Sequence, residues 1–297
     1  MKLPNITGEY RFNYNLSHLT WFKVGGPAEI FFKPSNAQDL ANFLEQNQRQ
    51  FPVTILGAGS NIIIRDGGVD GVVIKLGQNF TNIEFDNNDN QLAVGSGCLN
   101  FNLARFCQQN NIAGFEFLVG IPGTIGGGII MNAGAYNSEF KDIVISIEAL
   151  DYQGKLFTLS NTEIGFKYRG CNLPKDLIVT KVIFKILPGD GEIITKKMNE
   201  INEKRLVTQP IKERTSGSTF ANPPGEYSAW QLIDKAGMRG YKIGEASIST
   251  LHCNFMINHG NAKAKDLEEL GELVKKAVRE NSGVDLKWEI KRIGKYA

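Results

Sequence analysis

The residues best placed to do chemistry in this chain are backbone groups. Nothing between Phe117 and Ser138 is charged, and six glycines and one proline fall between Gly120 and Tyr136. Glycine lets the backbone take φ > 0 and approach a ligand closely, so several together point to main-chain N–H groups facing an anion such as phosphate. Gly120, Gly123, Thr124, Gly127 and Gly128 are the candidate contacts. A second loop of similar character, Gly57, Ala58, Gly59, Ser60 and Asn61, lies between the apolar runs Val53–Leu56 and Ile62–Ile64. No helix start follows it, which is unusual for a phosphate loop. Two other readings fit the long window: tight turns with no ligand, or a membrane span with Gly123 and Gly127 as a close-packing face. Its glycines, Pro122 and two asparagines leave too little apolar side chain for good insertion.

Three side chains stand out. Arg169 follows aromatic Tyr168 in a segment bordered by turns, Ser218 lies in a small-residue loop, and Glu289 sits between Lys287 and Lys291. Each has a plain alternative: a surface stack, a turn and a solvated ion pair, all common and worth little. No His–Cys–acid nucleophile set is visible. The three histidines, 18, 252 and 259, are too scattered for a metal site. A strand followed by Gly95-Ser-Gly-Cys-Leu-Asn100 and a helix, with Glu116 beyond, imitates a dinucleotide fingerprint. Asn100 stands where close packing demands glycine or alanine, so a helix cap is the better reading.

These residues sit in a chain of ordinary globular composition, 297 residues with 42% hydrophobic and 22% charged. That length corresponds to about two domains. A net charge of +2 without a basic block does not indicate nucleic acid. The opening residues lack an apolar signal core, and four unpaired-looking cysteines (98, 107, 171 and 253) fit a reducing compartment, so a cytoplasmic protein is expected.

The positioning elements follow from periodicity. Residues 1–20 read as a polar N-terminal arm. Ser35 with Gln38 reads as a capping box for a helix burying Leu40, Phe43 and Leu44. Ile143–Thr158 reads as a hairpin turning at Gln153-Gly154. Leu177–Leu187 reads as a strand, and Pro188–Gly191 as a boundary. Ser228 and Gln231 cap a helix ending at Gly237, and another helix buries Leu267, Leu270 and Val274 and stops near Gly283. Leu286–Lys291 alternates as a half-buried strand with Glu289 on the polar face. The fold class is α+β, in two parts meeting near residue 190.

The two glycine loops resemble the FAD-binding half of the UDP-N-acetylenolpyruvoylglucosamine reductase family. Thr20–Ala28, Tyr168-Arg169, Gly217–Pro223, and the tail from His252–Phe255 to Glu289–Gly294 are similar to that family in the same order. The resemblance spans nearly the whole chain and looks like the shorter subtype, without an extra substrate-capping loop. It implies a two-lobed FAD-binding domain of the vanillyl-alcohol-oxidase (PCMH) type over residues 24–188, after an arm at 1–23. A C-terminal α+β substrate-binding domain is implied over 189–297. It further implies non-covalent FAD, NADPH as hydride donor, a UDP-sugar substrate, and no nucleic acid, membrane, metal or obligate protein partner. Arg169, Ser218 and Glu289 carry over as catalytic, and Arg169, Asn222 and His252 as substrate-binding. Two departures stand beside these: Ala221 where the family often has lysine, and Cys171 where it often has serine. The rival readings are a sugar or alcohol oxidase with covalent FAD, or a non-catalytic nucleotide-binding module. For covalent attachment, His18 is the only histidine before residue 252, and it lies outside both glycine loops.

Overall fold

A computed structural model describes residues 3–86 and 90–297 of the chain. Met1 and Lys2, which open the expected arm, lie outside the described residues. The chain forms two compact units with interleaved segments. The first comprises Met1–Phe12, Ile30–Ala58 and Gly71–Glu203, and the second Asn13–Glu29, Gly59–Asp70 and Lys204–Ala297. This differs from a single cut near residue 190, because long-range pairing outweighs chain order. Ile62–Ile64 pairs in parallel with Lys291–Ile293 and so belongs with the C-terminal part. Conversely, Ile194, Met198 and Ile201, beyond the expected boundary, pack into the core of the first unit.

The first unit is built on an antiparallel five-stranded sheet, in the order Leu156–Ser160, Val144–Leu150, Ile178–Lys185, Gln91–Gly95, Ile83–Asp86. Its hairpin turns where expected, with Gly154 at φ +77°. The expected strand Leu177–Leu187 breaks at Ile186; Leu187–Pro188 pairs instead with Ile112–Ala113. Phe115, Phe140 and Phe184 fill the core under this sheet, with Leu103 and Cys107 of the helix Asn100–Gln109 and Ile129 of the helix Ile125–Met131.

A four-stranded sheet runs Glu9–Asn15, Pro27–Lys33, Val69–Ile74, Val53–Ile55, the last pair parallel. Leu40, Phe43 and Leu44 of the helix Ala37–Asn47 pack beside it with Phe32, Val72 and Ile74. The cap of that helix differs from the expected Ser35–Gln38 box. Asn36 is the cap, its side chain accepting the Asp39 N–H at 2.9 Å. Asp39 in turn accepts N–H groups from Thr7, Gly8 and Ser35 at 2.7, 2.9 and 2.9 Å. Burial pushes its pKa up, but these donors outweigh burial and hold it below the usual carboxylate value. The supposed arm is therefore tied down and contains a strand. Its residues alternate as a strand does, with Tyr10, Phe12 and Tyr14 on one face and Glu9, Arg11, Asn13 and Asn15 on the other, a period that the reading as an arm passed over.

The second unit carries an antiparallel sheet of Lys242–Ile243, Ala246–Ile248 and Met256–Asn258. Two helices, Ala229–Lys235 and Ala264–Ser282, bury Leu232, Ile233, Leu267, Leu270 and Val274 against Phe22, Ile63, Phe220 and Met256. The Ser228–Gln231 capping box forms, and Gly237 and Gly283 end these helices at φ +72° and +74°. The expected strand Leu286–Lys291 begins only at Lys291. Leu286 and Ile290 are buried as the alternation requires, but the run before Lys291 is extended without a ladder. Trp288 lies against Gly271, where any side chain would meet the indole ring, and donates to Glu272 at 2.7 Å.

Candidate active site

The first unit holds the long glycine stretch and the opening residues of the short loop, Gly57 and Ala58. The long stretch contains a seven-residue helix, Ile125–Met131, capped by the Thr124 hydroxyl, which accepts the Gly127 N–H at 3.3 Å. The N–H groups of Ile125, Gly126 and Gly128 go to Cys98 O, Ser96 O and Thr124 O. These are therefore already committed to protein acceptors. By contrast, the N–H groups of Gly57, Ala58, Gly123 and Thr124 make no hydrogen bond among the described residues. The two loops abut: a Cβ on Gly57 would stand 2.8 Å from Thr124 Oγ1. Gly123, at φ +146°, takes a backbone conformation that side-chain-bearing residues avoid.

The segment that imitates a dinucleotide fingerprint is a splint beneath this cradle. Asn100 N–H donates to Gly123 O and its side-chain amide to Ile121 O, both at 3.0 Å. That is the physical reason for asparagine at the sixth position. Two buried atoms here, Ser96 Oγ and Asn100 Oδ1, have no hydrogen-bond partner among the described residues. Lys75, which sequence reasoning missed, donates its ammonium to Gly57 O at 2.6 Å. Burial, then the nearby Lys33 charge, lowers its pKa. A lysine inside the otherwise apolar run Val72–Leu76 was the signal that could have found it.

Individual glycines have different reasons to be glycine. At Gly128 a side chain would overlap the Phe140 ring, and at Gly120 it would come within 2.8 Å of the Tyr136 ring, so both are packing positions. Gly127 is exposed, and a Cβ there would touch only Thr124 Oγ1 at 3.4 Å.

Arg169 lies in the same unit, on a tight turn closed by reciprocal Lys167–Gly170 hydrogen bonds of 2.9 and 3.1 Å. Its guanidinium donates to Gly134 O at 3.1 Å, which brings it to the end of the glycine stretch. Asn132 anchors this junction, donating to Glu139 and to Lys167 O. Arg169 holds φ +53°, a left-handed conformation uncommon for a non-glycine residue. Its guanidinium also stacks 5.0 Å from the centroid of exposed Tyr168.

The second unit brings Ser218 and Glu289 together. Ser218 bridges Phe255, and the next residue, Thr219, accepts the Glu289 N–H at 2.9 Å. Ser218 Oγ has no hydrogen-bond partner among the described residues, which leaves it available to a ligand. Asn61 joins them, donating its amide to Glu289 O at 3.3 Å and accepting the Lys291 N–H at 3.1 Å. In the same loop, a side chain at Gly59 (φ +67°) would overlap the Leu19 carbonyl. Ser60 is buried beside it.

Asn222 spends its carbonyl on the Ala229 N–H at 3.0 Å, supporting a helix start, and its amide N–H groups make no hydrogen bond among the described residues. Burial, with a smaller contribution from Arg239, lowers the His252 pKa, so its ring is neutral at pH 7. Its Nδ1 accepts the Asn254 N–H at 3.3 Å, which puts the ring proton on Nε2. Ala221 offers no charge, and its N–H donates to Lys287 O. All four cysteines are free thiols. Burial pushes the Cys98 and Cys253 thiols up to about 11, which makes them poor nucleophiles. Among the described residues no helix is long and apolar enough to cross a membrane.

Residues 28–160 match the model of an FAD binding domain, and residues 209–293 match the C-terminal domain of UDP-N-acetylenolpyruvoylglucosamine reductase. The reductase of that name from Rickettsia akari is 68% identical over 294 residues, 99% of each chain. The crystal structure of the Thermus caldophilus enzyme is 32% identical, covers 98% of this chain and 100% of its own, and superposes with a TM-score of 0.84. A berberine-bridge-enzyme-like protein from Physcomitrella patens shares 12% identity over 93% of this chain and 87% of its own, with a TM-score of 0.58, which shows the fold alone. The N–H groups of Gly57, Ala58, Gly123 and Thr124 and the Lys75 ammonium beside them fit a phosphate-bearing cofactor such as FAD. The α+β chain, with its PCMH-type FAD-binding domain and its C-terminal domain, is an oxidoreductase and belongs to the UDP-N-acetylenolpyruvoylglucosamine reductase family.

Proposed function

We propose that the protein reduces the enolpyruvyl ether of UDP-N-acetylglucosamine to UDP-N-acetylmuramate, with NADPH as the hydride donor, in the cytoplasmic part of peptidoglycan synthesis. The observation that carries the reading is Ser218: its hydroxyl has no partner among the described residues, and its loop is hydrogen-bonded to the Glu289 segment. FAD held by the Gly57–Ala58 and Gly123–Thr124 N–H groups would supply the hydride chemistry between NADPH and the vinyl C3 of the substrate.

The residues of the chain do the rest. Hydride addition at C3 leaves negative charge at C2 that spreads into the neighbouring carboxylate. Arg169, permanently charged and able to make a bidentate pair, holds that carboxylate. Ser218 gives its proton to C2; serine is a weak acid, but the carbanion is a strong base and positioning closes the gap. Glu289 as an anion would oppose the developing charge, so it acts by sharing a proton or orienting a donor. The free amide of Asn222 and the Nε2–H of His252 serve as neutral donors to the sugar nucleotide. By function, FAD binding is assigned to residues 24–188, which also lend Arg169 to the substrate, and the rest of substrate binding to 189–297, with 1–23 as a lead-in and no obligate protein partner.

Purified protein should be yellow, be bleached anaerobically by NADPH, and recover its colour with the enolpyruvyl sugar nucleotide while UDP-N-acetylmuramate forms. Bleaching without recovery by that substrate would point to a different oxidoreductase; flavin that NADPH leaves untouched would point to a binding module. FAD is held without a covalent bond, since His18 lies outside both loops and Cys98 is a buried, protonated thiol. Heat denaturation and filtration should leave all the yellow in the filtrate, whereas colour retained by the precipitate would disprove it.

A further inference from the structure

We infer that Asn254 is a positioning residue for the Ser218 proton donor, acting as a side-chain rung in a short hydrogen-bonded clamp. This rests on the reading of Ser218 as the acid. Asn254 is only 4% exposed, and both ends of its amide bond the same distant residue. Its Oδ1 accepts the Phe220 N–H at 2.9 Å and its Nδ2 donates to Phe220 O at 2.8 Å. Its own carbonyl accepts the Thr219 N–H at 2.7 Å. From the other side, Glu289 N–H donates to Thr219 O at 2.9 Å and Ala221 N–H to Lys287 O at 2.9 Å.

Residues 218–221 are thus gripped between the 254–255 and 287–289 segments, although no regular strand runs through them. The asparagine amide replaces the donor and acceptor that a neighbouring strand would present. The hydroxyls of Thr219, Thr215 and Ser216 are buried and have no hydrogen-bond partner among the described residues, so they add no support to the loop. Without Asn254, the grip on Phe220 from the 254–255 side is lost. Ser218 then wanders relative to Glu289, and misplacement by about 1 Å can cost about 10²-fold in rate.

Asn254→Asp keeps the shape but sets a carboxylate against Phe220 O; a protonated carboxyl could still donate there. The full-length flavoprotein is followed anaerobically by rapid mixing, with its flavin spectrum and melting temperature as checks on folding. Reduction by NADPH should stay within about twofold of wild type. Reoxidation by the enolpyruvyl sugar nucleotide should slow by about 10²-fold and recover as pH falls. Placed on Ser218→Ala, the same change should add less than about twofold, because there is no donor left to position. Should Asn254→Asp not fold, Asn254→Ser, which leaves room for water, is measured in the same way. Wild-type reoxidation in the folded variant, or an equal loss on the Ser218→Ala background, overturns the inference. Fast reoxidation by Ser218→Ala itself instead refutes the underlying role of Ser218.

Discussion

Replacing Ser218 with alanine is expected to slow flavin reoxidation by about 10²–10⁴-fold, the usual worth of a general acid, and by more if no other donor reaches C2. Reduction by NADPH needs the flavin but no acid at C2, so that half-reaction should run at nearly the wild-type rate. The split is the informative part. Ser218 Oγ contributes no hydrogen bond to the fold among the described residues, and the loop is held through the main chain of Thr219 and Phe220. The variant therefore keeps its scaffold. Ser218→Cys should recover part of the loss, since a thiol reaches a similar distance with a lower pKa. Anaerobic rapid-mixing absorbance, read separately for each half-reaction, makes the measurement. Equal slowing of both halves would make Ser218 structural and move the acid elsewhere.

Gly127→Val and Gly128→Val should separate cofactor binding from folding at adjacent residues. At Gly127 the helix surface is open, and the added Cβ meets only Thr124 Oγ1 at 3.4 Å. That variant should fold with a melting temperature close to wild type, yet be colourless, because the branched side chain projects where FAD must approach the backbone. At Gly128 the side chain would drive into the buried Phe140 ring. Overpacking of this kind costs about 1–3 kcal/mol or more, so Gly128→Val should melt well below wild type and lose flavin as a consequence. Flavin content per chain and thermal melts decide the matter. Normal flavin in folded Gly127→Val would remove this helix surface from the cofactor site.

The helices and the main hairpin were legible from the chain because their causes are local. The helix Ala264–Ser282 announces itself by Leu267, Leu270 and Val274 and by a terminal glycine, all within a few turns of one another. The Ser228–Gln231 box and the turn at Gly154 are equally short-ranged. Family resemblance then supplied the names of site residues that spacing alone did not connect: Arg169, Ser218 and Glu289 lie in separate segments with no shared period.

What only the tertiary structure decided is which residues meet. Asn254 bonds a residue 34 positions away, and Asn61 one 228 away, and no window of sequence contains either pair. The run before Lys291 reads as a strand by its apolar alternation, but its partner segment, residues 219–221, meets it only at one isolated bridge, and periodicity cannot report how far a partner runs alongside. Arg169 carries no sign in its residue type of a φ of +53°, since the constraint comes from the turn that closes around it. Gly127 and Gly128 make the same point most sharply. They are identical neighbours in the chain, yet one opens to solvent and the other lies against Phe140, because what a missing side chain makes room for depends on atoms brought there by folding.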